Sequence, residues 1–286
     1  MQLFAPAKIN FTLDVLGKRL DGYHELETVM QTISLGDTVS LFEATEIELS
    51  CEHPEVPKGP GNLAYQAAIL MSKQCGIQRG VRIHIQKRIP IAAGLAGGSA
   101  DAAAVLRGLN RFWDLGYGDA LLQDLASQLG SDVAFCLRGG TALGKGRGEQ
   151  LTLLPSPPSC GVILVKQPFA VSTKEVYQRY NLQILQKPMT SAMVSALETG
   201  DRRRIMAALG NMLEQVTLSL YPEIADIKEE LSRAGAQAVL MSGSGPTVFG
   251  LTDTLTAAYQ VASRMSEHKE RIFVAETIDM TGGEEA

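Results

Sequence analysis

The sequence predicts an α+β fold in two domains. Apolar and polar residues alternate at Ile47–Cys51 and at 81–85, which is typical of half-buried strands. Apolar residues follow helical spacing over Leu63–Cys75 and again over 102–113. Strands and helices alternate along the chain, but the helices come in pairs, and this favours α+β over a doubly wound sheet.

A boundary between the domains is predicted at the run PSPPS, residues 155–159. Three prolines in four residues cannot lie inside a helix or a central strand, because proline lacks the N–H group and has a fixed φ. The sequence therefore predicts an N-terminal domain over residues 1–157 and a C-terminal α+β domain over residues 158–286.

The remaining elements are predicted from local patterns. In the first 50 residues short β-rich stretches alternate with turns, and residues 17–24 are expected to form a loop. Apolar runs at 133–137 and 150–154 are predicted strands on either side of a glycine-dense turn at 138–149. In the second half we expect strands at 161–166, 237–241 and 271–277 and helices within 191–220 and 222–234.

Composition and charge exclude several classes of function. The 286 residues include 26 Lys+Arg against 31 Asp+Glu, a formal net charge of -5. A duplex-binding protein usually presents a basic surface, so we expect no nucleic-acid partner. Apolar runs fall short of the roughly 18 residues of a membrane span, so we expect no membrane partner. The cysteines form no CxxC pair and no signal peptide is recognised, which favours free thiols in the cytoplasm.

A glycine-rich segment, PIAAGLAGGSADAAA at 90–104, is the most informative stretch. A predicted strand precedes it, an amphipathic helix follows it, and Gly94, Gly97 and Gly98 let the backbone approach a ligand closely. Ser99 is the expected N-cap, and its hydroxyl is placed to contact a phosphate-bound Mg²⁺. Because a helix N-terminus offers unpaired N–H groups, the segment is typical of a phosphate site. Tight helix packing by small residues is the alternative.

Other motifs do not support a different chemistry. The segment GGTALGK at 139–145 approaches a P-loop, but Gly146 stands where Ser or Thr is required. The glycine-rich segment does not match GxGxxG, so a dinucleotide-binding fold is not indicated. The four histidines lack metal-ligand spacing, and no GxSxG elbow of a hydrolase occurs.

Three segments taken together resemble the motifs of the GHMP kinases: APAKINFTLDV (5–15), the glycine-rich segment, and MSGSGPTVFGL (241–251). The segments RLDGYHELETVMQTISLGD (19–37), GSDVAF (130–135) and GGTALGKGRGE (139–149) extend the resemblance over nearly the whole chain, to members whose acceptor carries a cytosine. The resemblance implies a two-domain α+β fold with the active site in the interdomain cleft. It also implies transfer of the γ-phosphoryl group of ATP, with Mg²⁺, to an alcohol.

The same resemblance assigns site residues. Lys8 and Asp132 would form the catalytic pair, in which Asp132 accepts the hydroxyl proton and Lys8 keeps that carboxylate ionised. From spacing alone, Asp132 is a turn aspartate and Lys8 lies on a solvated face. Substrate-binding positions would be Asn10, Tyr23, His24, Thr173, Tyr177, Gly243, Ser244 and Gly245. ATP-binding positions would be Asn62, Lys87, Pro90, Gly94, Leu95, Ala96, Gly97, Gly98, Ser99 and Ala100; at Ala96 the family more often has glycine.

Three functions remain open at this stage. The first is phosphorylation of the 2-hydroxyl of a cytidine-diphosphate-linked alcohol in isoprenoid precursor biosynthesis, for which DGYHELETVMQ at 21–31 is the discriminating segment. The second is another kinase of the family, acting on homoserine or a mevalonate-type acceptor. The third is a nucleotide-binding sensor that binds ATP without phosphoryl transfer; it requires Lys8 or Asp132 to be absent or misplaced, and both are present in the sequence.

Overall fold

A computed structural model of the chain describes residues 1–76, 79–182, 187–265 and 271–279. The strands are β1 (Gln2–Lys18), β2 (His24–Ala44), β3 (Ile47–Cys51), β4 (Gly80–Gln86), β5 (Thr141–Gly146), β6 (Gln150–Leu153), β7 (Gly161–Val165), β8 (Gly210–Asn211), β9 (Ala238–Met241), β10 (Val248–Thr252) and β11 (Ile272–Glu276). The helices are α1 (Leu63–Cys75), α2 (Gly97–Phe112), α3 (Asp119–Leu129), α4 (Ser131–Arg138), α5 (Thr173–Arg179), α6 (Thr190–Thr199), α7 (Arg202–Ala207), α8 (Glu214–Leu220), α9 (Glu223–Ala234) and α10 (Leu255–Arg264).

A long antiparallel hairpin of β1 and β2 is the centre of the first sheet. Besides pairing with each other, both strands of the hairpin have further partners. Strand β2 pairs with β4 and with β5, and β1 pairs with β8, a short strand that runs parallel to it. The expectation of short strands in the first 50 residues is wrong. The register of β1 against β2 shifts between Pro6 and Lys8 and again between Asn10 and Thr12. These β-bulges change the direction of the side chains without ending the strand.

The N-terminal helices bury their apolar faces on this sheet. Ile9 and Phe11 of β1 are fully buried in one cluster with Leu106 of α2 and Phe135 of α4. The four alanines that follow Ser99 are also buried there, because small side chains let α2 lie close to its neighbours. Asn62 caps α1 through its side chain, and Gly76 ends the helix in the left-handed region; the observed bounds of α1 match the predicted helix Leu63–Cys75.

The second sheet has four antiparallel strands in the order β11-β7-β10-β9. Alternate residues of β7 point to its two faces: Ile163 packs with α9 and α10, whereas Val162 and Leu164 belong to the core of the first sheet. A bridge between Ile33 and Thr277 joins the two sheets. Helices therefore cover the outer face of the second sheet, and its inner face packs on the N-terminal half. The boundary at residue 157 stays a prediction.

Two sequence predictions about the segment 130–149 are wrong. The apolar run 133–137 is helix α4 rather than a strand, and the glycine-dense turn contains strand β5. All five residues of the run are buried, and a short apolar run buried all round has no periodicity that separates helix from strand. As for membrane insertion, none of the helices in the described residues has the length and apolar character of a membrane span.

Candidate active site

The glycine-rich segment forms a loop between β4 and α2. Gly94 and Ala96 both have positive φ, 73° and 59°, and a Cβ atom at Gly94 would lie 2.5 Å from the carbonyl oxygen of Ser242. The Ser242 hydroxyl donates a hydrogen bond of 3.1 Å to the Gly94 carbonyl. Glycine at position 94 therefore lets this loop lie directly on the loop of the C-terminal motif.

Helix α2 begins three residues earlier than the sequence indicates. Ala96 stands at the N-cap position in the left-handed conformation, and Ser99 is the third helical residue, so the prediction of Ser99 as N-cap is wrong. The first N–H groups of α2 lack intrahelical acceptors, as at any helix start. Ala96 adopts a conformation that favours glycine, which is the residue the family more often has there. The N-terminus of α2 still borders a cavity, which Gly97, Gly98 and Ser99 help to line, and its role as an anion site stays a prediction.

Lys8 and Asp132, 124 positions apart in the chain, meet in one cavity. The Lys8 ammonium lies 3.6 Å from a carboxylate oxygen of Asp132 and donates a 2.8 Å hydrogen bond to the side-chain oxygen of Asn10. Asn10 in turn donates to the Thr28 hydroxyl at 2.9 Å. Lys8 is 4% exposed, whereas the Asp132 side chain is 45% exposed, so a fixed ammonium stands beside a carboxylate that a ligand can reach.

The surrounding elements hold this pair in place. Asp132 lies in the first turn of α4, where the helix dipole stabilises its negative charge. The backbone N–H of Lys8 donates a 3.2 Å hydrogen bond to the carbonyl of Leu95, which ties β1 to the glycine-rich loop. Leu95 and Ala100 are each 1% exposed; they anchor the loop in the core and are not among the lining residues of the three cavities described below.

The C-terminal motif closes the other side of the cavity. Gly243 has φ of +59°, and a Cβ atom there would lie 3.6 Å from the Asn10 side-chain oxygen. The Ser244 and Thr173 hydroxyls share a 2.8 Å hydrogen bond, while Gly245 packs on Met241. Asn211, which sequence reasoning missed, donates to the carbonyls of Met241 (2.9 Å) and Gly243 (2.7 Å). No sequence motif around Asn211 indicates that its side chain would bind the backbone of the C-terminal motif.

An aromatic cluster lies beyond the catalytic pair. The rings of His24 and Tyr177 stack with centroids 5.1 Å apart, and Tyr180 meets His24 edge-on at 6.5 Å. Tyr23 is exposed, and the Arg147 guanidinium lies 5.1 Å from its ring centroid. Burial, with the nearby charge of Lys18, lowers the pKa of His24, so its imidazole is neutral at pH 7.

Sequence reasoning missed Arg147 and Tyr180. Arg147 lies in the segment GKGRGE that contributes to the family resemblance, and that context was its only signal. Tyr180 follows α5, a helix that the sequence analysis did not predict.

The two predicted ATP positions outside the glycine-rich loop also have structural roles. Lys87 forms ion pairs with the buried carboxylates of Asp37 and Asp101, the second at 2.9 Å. Asp37 accepts backbone N–H bonds from Arg88 and Ile89 as well. Burial raises the pKa of Asp101 to about 7. The Asn62 side chain caps α1 and donates a 2.9 Å hydrogen bond to the Pro57 carbonyl oxygen.

Three cavities adjoin one another through shared lining residues, and together we call them the groove. The first, of 340 Å³, is lined by Asn62, Lys87, Pro90, Gly97 and Gly98, among others. It shares Gly94, Ala96 and Ser99 with the 360 Å³ cavity of the catalytic pair. That cavity shares Gly130, Ser131, Arg147, Thr173 and Tyr177 with a 940 Å³ cavity that contains Tyr23 and His24. The binding and catalytic roles of these residues stay predictions.

Comparison with known proteins gives consistent matches along the chain. The family described as "GHMP kinases N terminal domain" matches residues 62–140, and "GHMP kinases C terminal" matches residues 193–271. A relative from Bacillus velezensis (strain DSM 23117 / BGSC 10A6 / LMG 26770 / FZB42), named 4-diphosphocytidyl-2-C-methyl-D-erythritol kinase, is 49% identical over 276 residues, 96% of each chain. One of the same name from Bacillus pumilus (strain SAFR-032) is 55% identical over 249 residues, 86% of each chain.

A solved structure agrees with these sequence matches. The crystal structure of a 4-(cytidine 5'-diphospho)-2C-methyl-D-erythritol kinase superimposes with a TM-score of 0.83 and 34% sequence identity, covering 99% of this chain and all of the other. The fold predicted from the three motifs is thereby confirmed: the chain belongs to the GHMP kinase family.

Proposed function

We propose that the chain is an ATP-dependent kinase that phosphorylates the 2-hydroxyl of 4-diphosphocytidyl-2-C-methyl-D-erythritol in non-mevalonate isoprenoid precursor biosynthesis. The names of relatives at about half identity over most of the chain support this assignment. ATP is the donor that membership of a kinase family implies. The observation that carries the proposal is the continuous groove, in which Lys8 and Asp132 lie between the glycine-rich loop and the aromatic cluster.

The residues of the groove fit phosphoryl transfer. ATP would place its phosphates on the N-terminus of α2, with its adenine toward the cavity lined by Asn62 and Pro90. Asp132, held in the first turn of α4, would orient the acceptor hydroxyl and accept its proton. Lys8 would balance negative charge between this carboxylate and the transferring group. Because Asn10 fixes the ammonium, little reorganisation is needed during transfer.

The Mg²⁺ cofactor is also a proposal. Among the described residues no group of three or more His, Cys, Asp and Glu side chains is arranged to hold a metal ion. Mg²⁺ at nucleotide sites takes one or two protein oxygens and completes its shell with phosphate and water. The Ser99 hydroxyl, which lines both the nucleotide cavity and the catalytic cavity, fits that donor set. The bound ion would neutralise phosphate charge.

The aromatic cluster fits a pyrimidine. Tyr23 presents an exposed face, and the neutral His24 imidazole offers both a donor and an acceptor nitrogen to the edge of a cytosine. The stacked partner Tyr177 lines both this cavity and that of the catalytic pair. Arg147 lies between the two cavities, where the diphosphate of the acceptor would pass.

Replacing Tyr23 by alanine is expected to raise KM for the cytidyl acceptor by about ten- to a hundredfold, since stacking on a base contributes about 1–3 kcal/mol. Steady-state kinetics should show KM for ATP and kcat within about twofold of the wild type. Tyr259→Ala is the matched control, because both tyrosines are 58% exposed and Tyr259 lies on α10, outside the groove. Equal acceptor KM values in the two variants would remove Tyr23 from the acceptor site.

A coupled ADP-release assay tests the reaction itself. With ATP and Mg²⁺, we expect ADP release with 4-diphosphocytidyl-2-C-methyl-D-erythritol and none above background with homoserine or mevalonate. Turnover with homoserine or mevalonate alone would contradict the acceptor assignment. ATP binding without release on any acceptor would favour the nucleotide-sensor alternative.

We also propose that the enzyme acts in the cytoplasm. The four cysteines are free in the structure, which suits a reducing compartment. The expectation that it has no nucleic-acid partner stays a prediction based on its net charge of -5.

A further inference from the structure

A chain of hydrogen bonds connects the Lys8 ammonium to Thr28 of β2. Lys8 donates to the Asn10 side-chain oxygen at 2.8 Å, and the Asn10 amide nitrogen donates to the Thr28 hydroxyl at 2.9 Å. The Thr28 hydroxyl in turn donates to the backbone carbonyl of Thr12 at 2.6 Å. Lys8, Asn10 and Thr28 all line the cavity of the catalytic pair.

The register of the β1–β2 hairpin places Thr28 within reach of Asn10. Asn10 pairs with Met30, so Thr28, two residues away on β2, is its diagonal neighbour on the same face of the sheet. Asn10 and Thr28 are 3% and 4% exposed, so water is a poor substitute for the bond between them. The backbone of β1 therefore fixes Thr28, and Thr28 contacts Asn10 from the strand opposite.

The donors and acceptors of these groups allow one orientation of the Asn10 amide. A hydroxyl group has one proton, and Thr28 gives its proton to the Thr12 carbonyl, which can only accept. The Thr28 oxygen is left as an acceptor, so it binds the NH₂ end of Asn10. The oxygen end of Asn10 then faces the Lys8 ammonium, which has donors only. In the reversed amide, donors would face donors at Lys8 and acceptors would face acceptors at Thr28.

We propose that Thr28 is a positioning residue: through the Asn10 amide it holds the Lys8 ammonium in place beside Asp132. The catalytic consequence rests on the proposed function, in which Lys8 balances negative charge during phosphoryl transfer. The ammonium lies 3.6 Å from the Asp132 carboxylate, and a Coulomb interaction at this separation changes strongly when one charge moves. Thr28 acts through Asn10 and need not contact the reacting atoms.

Thr28→Val replaces the hydroxyl by a methyl group of similar size and tests the proposal. With ATP, Mg²⁺ and 4-diphosphocytidyl-2-C-methyl-D-erythritol, kcat should fall by about 10- to 100-fold, because a small misplacement of a catalytic group has a cost of this order. KM for ATP should stay within about twofold of the wild type. Thr28→Ser keeps the hydroxyl and should recover at least about one third of the wild-type kcat.

Two kinetic outcomes would overturn the proposal. One is a Thr28→Val variant with the kcat of the wild type. The other is a raised acceptor KM at unchanged kcat, which would assign Thr28 to acceptor binding.

Thr141→Val is the matched control. Thr141 is also a buried threonine of the first sheet, and its hydroxyl also donates a 2.6 Å bond, to the side-chain oxygen of Gln31. It is not one of the described residues that line the groove. Its variant should lose stability to urea as Thr28→Val does, but it should keep the kcat of the wild type.

A double-mutant cycle tests whether Thr28 acts through Asn10. In the Asn10→Ala background, Thr28→Val should lower kcat by no more than about a further twofold, because the group that Thr28 positions is already absent. Fully additive losses would contradict the proposal.

Proton exchange of the Asn10 amide gives a readout that needs no acceptor. In NMR spectra of isotope-labelled protein, its side-chain signal is assigned by its loss in Asn10→Asp. We expect its protons to exchange with solvent at least about tenfold faster in Thr28→Val than in the wild type or Thr28→Ser. Unchanged exchange would overturn the inference whatever the acceptor. Faster exchange in a protein that phosphorylates no acceptor would support the positioning of Asn10 and contradict the proposed function alone.

Discussion

Asp132→Asn is expected to lower kcat by about 10²- to 10⁴-fold, the usual range for loss of a positioned acid or base. The amide keeps the shape of the carboxylate and its place in the first turn of α4, but it cannot accept the hydroxyl proton. It also leaves Lys8 without its anionic partner at 3.6 Å. KM for ATP should stay within about twofold, because the glycine-rich loop is unchanged. Steady-state and single-turnover kinetics measure both quantities.

Asp226→Asn is the matched control for this variant. Asp226 also lies in the first turn of a helix, α9, and is exposed, but it is outside the groove. It should have wild-type kcat. Near-normal turnover by Asp132→Asn would remove Asp132 from its proposed role. In a double-mutant cycle with Lys8→Met, the two losses should be less than additive, since the residues act as a pair.

Lys87→Met is expected to lower the free energy of unfolding by about 3–5 kcal/mol, which is typical for a buried ion pair that loses one partner. Without the ammonium, the buried carboxylates of Asp37 and Asp101 lose the only cation that pairs with them in the described residues. Urea denaturation without ligand measures the loss. Lys145→Met is the matched control: its ion pair with Glu27 is half exposed, so we expect a loss of about 0–1 kcal/mol.

The same buried group predicts a pH dependence of stability. The pKa of Asp101 is raised to about 7 in the folded protein and is about 3.9 in an unfolded chain. The folded state then binds more protons between these values, so this group's contribution to stability is lost as pH rises from about 4 to about 7. Asp101→Asn should remove that slope from urea-derived stabilities. A loss below about 1 kcal/mol in Lys87→Met, or an unchanged slope in Asp101→Asn, would contradict this account.

Local patterns were sufficient where one segment contains all the information. The strand, glycine-rich loop and helix of 81–112 are readable because the period of the apolar residues changes from two to 3.6 across three glycines. The end of α1 at Gly76 and the strands β7 and β9 followed in the same way. Local patterns failed at 133–137, where burial on all sides removes the periodicity.

The pairing of Lys8 with Asp132 could not be predicted from local sequence patterns. Nothing near Lys8 or Asp132 in the sequence points from one to the other, and only the resemblance of several motifs connected them. In the structure a bulged strand aims Lys8 at the first turn of α4, and α4 lies against the core of the same sheet. The contacts of Arg147 and Asn211 likewise join segments that are distant in the sequence.

The sequence by itself determined the α+β class and, through its motifs, the kinase family, whereas phosphate binding by the glycine-rich loop stays a prediction. These follow from short-range periodicity and from residue types within single segments. The tertiary structure alone decided which cations and carboxylates pair: Lys8 with Asp132, and Lys87 with Asp37 and Asp101. Such pairs depend on distances of a few ångströms between side chains on different elements, because Coulomb energy in a partly buried site falls steeply with separation and solvent exposure.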